Sequence, residues 1–233
     1  MKITKEGIAV IETDTRHISK WVEEHKRLDI QEGQIAPWLC NVPQNGVCID
    51  VGAFIGDTTL TISKHVGPNG VVLAIEPNPE AYECLKYNME HSEIMSLNTI
   101  TVNKAIGPVE GEPATLHKDT NAGASWLSRH GSGGIYTMPL DKIVEAHSIA
   151  VPVHFIKIDV EGWEVEVLES AQHILLTHKP DLLIEINHVA LERQGATMKD
   201  ITNILAFHGY RWQITDASIK ETDPQFDIFC STK

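Results

Sequence analysis

Short apolar runs alternate with longer amphipathic stretches over most of this chain. The apolar runs are Val47–Gly52, Val71–Glu76, Ile100–Ile106, His154–Val160 and Asp181–Asn187. Between them, Asp57–Val66, Pro79–His91, Trp163–Leu176 and Thr197–His208 carry a helical spacing of apolar positions. Strands alternating with helices predict βαβ units, hence a doubly wound α/β fold with a mostly parallel sheet. The tail adds two further strands, Arg211–Asp216 and Phe226–Ser231, and the short polar loop joining them predicts an antiparallel pair. His17–Arg27 and Gln31–Cys40 each predict a short helix, and Pro43–Gly46 predicts a turn. The expected organisation is therefore a helical extension over 1–45 and a single α/β domain over 46–233. Between the third and fourth strands lies a glycine-rich stretch, 121–134, with Trp126 inside it. It is too long for a simple connection and reads as a binding loop or lid.

Composition narrows the classes. The 233 residues hold 19 Lys and Arg against 32 Asp and Glu, a net charge of -13. A surface of that sign repels phosphate backbones and anionic lipid, so neither nucleic acid nor membrane is an expected partner. Cys40, Cys48, Cys84 and Cys230 form no C-x-x-C pair, and no apolar run reaches the roughly 20 residues of a membrane helix. A cytoplasmic location is the expectation, and a homodimer is left open.

The first strand runs into Asp50-Val51-Gly52-Ala53-Phe54-Ile55-Gly56-Asp57. Ligands of open α/β sheets bind at the carboxyl ends of strands, and glycines there allow a close backbone approach. Asp50 is expected to face that crevice. The second strand ends in Glu76-Pro77, and a carboxylate at a strand tip can accept hydrogen bonds from both hydroxyls of a ribose. Together they predict an adenosine-type ligand without separating S-adenosylmethionine from NAD. The turn is not G-x-G-x-x-G, which disfavours an NAD(P)-dependent oxidoreductase, the main alternative. A cofactor-binding protein without catalysis is the third reading.

Lys157-Ile158-Asp159-Val160-Glu161-Gly162-Trp163-Glu164 is the second dense cluster. Strand alternation puts Lys157 and Asp159 on one face, and a charge inside an apolar strand needs a partner. Glu185, Asn187 and His188 end the fifth strand on the same rim. Asp159, Glu161 and His188 are the candidate general bases. No compact ligand spacing demands a metal and none is expected, although Asp159, Glu185, Asn187 and His188 are the donors a divalent ion would use.

On these segments, with Asn103-Lys104-Ala105-Ile106-Gly107, the chain resembles the FkbM family of S-adenosylmethionine-dependent methyltransferases over roughly residues 45 to 215. The resemblance implies a class I methyltransferase (Rossmann-like) fold with a seven-stranded sheet and O-methylation of a small-molecule or carbohydrate-type acceptor. It implies that Asp50, Gly52 and Gly56 surround the methionine part of the cofactor, that Glu76 holds the ribose, and that Asn103 to Ile106, Asn103 and Ala105 among them, lie beside the adenine, with Ala53, Phe54 and Pro77 also in the cofactor-binding set. Asp159 also belongs to the implied cofactor set. The family usually has Asn where this chain has Phe54.

Overall fold

A computed structural model describes residues 1–14, 18–29, 31–91, 98–119, 121–129, 134–149 and 152–233. The chain begins with a small hairpin, β1 (Lys2–Ile3) and β2 (Ala9–Val10), then helices α1 (Ile18–His25) and α2 (Glu32–Ile35). The βα series follows: β3 (Val47–Val51), α3 (Asp57–Val66), β4 (Val71–Ile75), α4 (Pro79–His91) and β5 (Thr99–Val102). Next come β6 (Ala105–Ile106), β7 (Pro113–His117), β8 (Trp126–Arg129), β9 (Ile135–Met138) and α5 (Leu140–Ala146). The last part holds β10 (Val153–Ile158), α6 (Glu164–Ser170), β11 (Asp181–Asn187), α7 (His188–Arg193), α8 (Met198–Phe207), β12 (Arg211–Ile214) and β13 (Gln225–Ser231).

The main sheet has seven strands in the order β12-β13-β11-β10-β3-β4-β5. The pairs β3/β4, β4/β5 and β10/β11 are parallel, while β13 runs antiparallel to both β11 and β12. This is the class I methyltransferase topology expected above. Strand β3, Val-Cys-Ile-Asp-Val, is buried at all five positions, as a parallel strand covered on both faces must be. Pro79 opens α4, where a missing N–H costs nothing. Thr197 and Asp200 form a reciprocal capping box at the start of α8.

Two compact units divide the chain. One comprises Met1–Asn103 with Leu116–Ser125, the other Lys104–Thr115 with Trp126–Lys233. In the first unit, Ala9, Val10 and Ile11 of the N-terminal segment join one apolar cluster with Phe54, Ile55, Leu85 and Met89. Among the described residues no helix is long and apolar enough to cross a membrane.

Four expectations are corrected. The strand expected over Ile100–Ile106 breaks at Val102, because the Asn103 amide turns back to bond the carbonyls of Glu76 (2.7 Å) and Pro77 (3.3 Å). Ala105–Ile106 then pairs with β9 in a second sheet, β6-β9-β7-β8. One strand of that sheet lies inside the stretch read as a long loop: 126–129 is strand, 122–124 is a 3-10 turn, and 130–133 lies outside the described residues. The helix expected to Leu176 stops at Ser170, since the Asp141 carboxylate accepts the N–H groups of His173 and Ile174 and starts a new π-helical turn. Towards the N-terminus, the helix expected over 31–40 is one α-turn followed by a 3-10 turn over Ala36–Leu39, with Pro37 early in it. The helix expected from His17 is described from Ile18, His17 itself lying outside the described residues.

Candidate active site

In the first unit, the site is built where β3 ends. Gly52 (φ 83°) and Ala53 turn beneath β4, both donating their N–H to the Ile75 carbonyl, at 3.0 and 3.1 Å. Phe54 and Gly56 follow at φ 48° and 98°. Gly56 serves helix packing: a Cβ there would meet Met89 Cε at 2.7 Å and Leu85 Cδ1 at 3.1 Å.

Asp50 is completely buried and turned towards the first turn of α3, not presented on the surface. Its Oδ2 accepts the hydroxyls of Thr58 (2.8 Å) and Thr59 (2.6 Å). Its Oδ1 is buried with no hydrogen-bond partner among the described residues. Glu76 holds the turn from the neighbouring strand. Oε2 accepts the Phe54 N–H at 2.9 Å and Oε1 accepts the Asn78 N–H at 2.7 Å. A carboxylate held at this strand tip suits the hydroxyls of a ribose. The unpartnered oxygen of Asp50 suits a cationic group. Both features fit the expected cofactor, which carries a ribose, an ammonium and a sulfonium. The Asn103 amide fastens the backbone of Glu76 and Pro77 through their carbonyls. Ala105 is buried in β6 of the second unit.

In the second unit, β10 and β11 carry the chemistry. The Lys157 Nζ bonds Asp159 Oδ2 at 2.8 Å, the partner its burial requires. Antiparallel register sets Glu185 opposite Asp227 and Asn187 opposite Gln225, and directly opposed residues share a face. Gln225 Nε2 donates to Glu185 Oε1 at 2.8 Å, and the Asn187 amide reaches Glu161 Oε2 at 3.5 Å. One oxygen each from Asp159, Glu161 and Glu185 lies within 4.8 Å of the others. Crowding has an electrostatic result. Burial, then the nearby charges of Asp159 and Glu161, push the Glu185 carboxyl up to about 10. Burial also raises Asp227, with Asp159 adding to the rise and Lys157 opposing it.

The turn after β10 is tight. Glu161 sits at φ 53° and Gly162 at φ 101°, where a Cβ would lie 2.3 Å from the Ala190 carbonyl oxygen. Glu164 Oε1 accepts the Gly162 N–H at 3.1 Å, and burial pushes this carboxyl up to about 8.

His188 is not part of the carboxylate group of Asp159, Glu161 and Glu185. The chain turns into α7 at once, and the His188 Nε2 lies 2.8 Å from the Glu221 carbonyl, with its ring against Phe226. A nitrogen facing a carbonyl carries the proton, which leaves only Nδ1 as a base. Gln225 and Asp227 escaped the sequence reading, although an acidic residue inside Gln-Phe-Asp-Ile-Phe-Cys is the same signal that exposed Lys157.

The methyltransferase FkbM domain model matches residues 50–212. The hexuronic acid methyltransferase AglP of Haloferax volcanii is 28% identical over 166 residues, covering 70% of this chain and 62% of that protein. A solved FkbM methyltransferase from Methylobacillus flagellatus is 20% identical with a TM-score of 0.56, over 83% of this chain and 45% of that one. A solved S-adenosylmethionine-dependent O-methyltransferase from Thermotoga maritima is 12% identical with a TM-score of 0.55, over 90% and 70%. The chain thus spans under two thirds of the length of its curated relative and about half of the first structure. With the matched segment running from the glycine turn through the Lys157–Glu164 cluster into β12, the chain belongs to the FkbM family of S-adenosylmethionine-dependent methyltransferases.

Proposed function

We propose that the protein methylates a hydroxyl of a neutral, carbohydrate-type small molecule. The observation that carries this reading is the cluster around the carboxyl end of β10, where Asp159, Glu161 and Glu185 gather with Asp227 of β13 and the buried Lys157. Such a cluster offers many oxygen acceptors and suits a polyol rich in O–H donors. It disfavours a uronate carboxylate at the same position, although the name of the relative from Haloferax makes hexuronic acids a necessary comparison.

S-adenosylmethionine supplies a methyl group already activated by positive sulfur. The protein has to align the acceptor, exclude water and take one proton. Asp159 Oδ2 is anchored on Lys157, which leaves Oδ1 to accept the hydroxyl proton as the oxygen attacks. Glu161, steadied by Asn187, and Glu185, steadied by Gln225, orient a neighbouring hydroxyl. On the cofactor side, Glu76 holds the ribose, and the Asp50 oxygen draws the cationic end.

The test is transfer of labelled methyl to a panel of neutral sugars, hexuronic acids, hydroxylated metabolites and peptides. Neutral sugars are the expected acceptors. Transfer confined to amines or to carboxylates would overturn the reading. Asp159→Asn is expected to lower turnover by about 10²–10⁴ while leaving affinity for S-adenosylhomocysteine nearly unchanged. His188→Gln should stay close to wild type.

The 4.8 Å grouping of carboxylates supports one second reading, in which a divalent ion orients a vicinal diol. It predicts that a chelator stops turnover and that added ion restores it. The Lys157 ammonium already bonded in the group favours the metal-free route.

A further inference from the structure

Asn88, buried near the end of α4, has its side-chain amide fully used. Oδ1 accepts the Ala9 N–H at 2.7 Å, and Nδ2 donates to the Ala9 carbonyl at 2.9 Å and the Ile55 carbonyl at 2.8 Å. The amide therefore fastens three segments together: hairpin strand β2, helix α4 and the glycine turn. Ile55 lies between Phe54 and Gly56, both with left-handed backbone. A bulky non-glycine residue persists there only if its surroundings over-determine it. Glu76 grips the Phe54 N–H, and Asn88 grips the next carbonyl. The side chains of Ala9, Val10 and Ile11 pack in one cluster with Phe54 and Ile55.

We infer that Asn88 is a positioning residue for the cofactor. Through the Ile55 carbonyl it fixes the backbone of the turn, and through Ala9 it makes the N-terminal hairpin a working part of the cofactor site. The hairpin lies before the family-matched segment, so the family motif does not contain this device. The inference rests on S-adenosylmethionine being the ligand of this turn.

A matched control exists in the same unit. Asn98 is also buried with its amide engaged: Oδ1 accepts the Ser63 hydroxyl at 2.8 Å, and Nδ2 donates to the carbonyls of Gly67 (2.7 Å) and Ser63 (3.5 Å). These bonds lie at the far end of α3 from the turn. Calorimetry with S-adenosylhomocysteine compares wild type with Asn88→Ala, Asn88→Ser and Asn98→Ala. Hydrogen exchange of residues 52–56 is followed in the ligand-free proteins. Both Asn88 variants are expected to raise Kd by about tenfold or more and to speed exchange of the turn, the effect of losing buried hydrogen bonds. Asn98→Ala should lower the melting temperature comparably while changing Kd by less than about twofold. Should Asn88→Ala fail to fold, Asn88→Ser, which keeps a hydroxyl in the buried site, supplies the comparison. Equal Kd shifts in the Asn88 and Asn98 variants, or an unchanged turn, would overturn the inference. A wild-type protein that does not bind S-adenosylhomocysteine would instead overturn the cofactor assignment itself.

Discussion

After β3 the chain turns through Phe54 at φ 48° and Gly56 at 98°; after β10 it turns through Glu161 at φ 53° and Gly162 at 101°. Each turn has a buried acid accepting one of its N–H groups. In the first, Glu76 comes from the next strand, 22 residues on, and a second fastener, Asn88, comes from α4. In the second, Glu164 lies two residues from the glycine it holds. The surroundings differ as well. The absent Cβ of Gly56 faces the mobile end of Met89, whereas that of Gly162 faces the backbone of Ala190. The turn assigned to the cofactor is held by distant parts of the fold and has compliant neighbours. The turn that carries Asp159 and Glu161 is locally fastened and has no slack.

The contrast is broken most easily at the glycines. Gly162→Ala must move the Ala190 carbonyl as well as adopt a left-handed backbone, and should cost about 4 kcal/mol or more, enough to unfold much of the protein. Gly56→Ala needs the backbone strain and shifts of the Met89 and Leu85 side-chain ends, about 1–3 kcal/mol. Urea denaturation midpoints compare the two, and equal losses would remove the distinction.

Glu76→Gln sharpens the comparison next. Both carboxylate oxygens accept a backbone N–H, and an amide can replace only one of them, setting its NH₂ against the other donor. The S-adenosylhomocysteine Kd should rise about tenfold, from the loss of one charge-assisted bond. An unchanged Kd by calorimetry would sever Glu76 from the cofactor.

The smallest effect is expected from Glu164→Gln, read in pH dependence. The folded carboxyl titrates at about 8, against 4.5 for a free glutamate. Between those values the folded chain keeps a proton that the unfolded chain releases, so stability falls as pH rises through this window and levels off above it. Glutamine cannot titrate. The melting temperature of Glu164→Gln should therefore decline less from pH 5 to about 8 than that of wild type. Parallel curves would mean that Glu164 is ionised at neutral pH.

Much of this could be read along the chain because it is local. Helices α3 and α4 begin and end at the predicted residues, since Pro79, the glycine turn and the apolar spacing are local signals. Lys157 announced a buried partner and has one in Asp159. What escaped depends on pairing across distance. Strands β7, β8 and β9 have four or five residues each and few buried positions, so glycines around them read as a loop. The expected crevice-facing charge of Asp50 ignored Thr58 and Thr59, whose hydroxyls claim one oxygen. His188 was placed by strand register, but the Asn187 side chain caps α7 by accepting the Ala190 N–H, so the strand ends and the imidazole turns to Glu221.

The reach of Asn88 also bears on modularity. A family boundary at residues 50–212 looks like a portable cassette, suited to swapping between relatives. Cut there, the chain would lose Ala9, leaving two polar groups of a buried amide unmatched and the apolar flank of α4 uncovered. At the other end it would lose β13, baring the edge of β11 to foreign strands and removing Gln225 and Asp227 from beside Glu185. The smallest piece that can be exchanged without injury is therefore larger than the piece that matches the family, and a working chimera must inherit both flanks with the cassette.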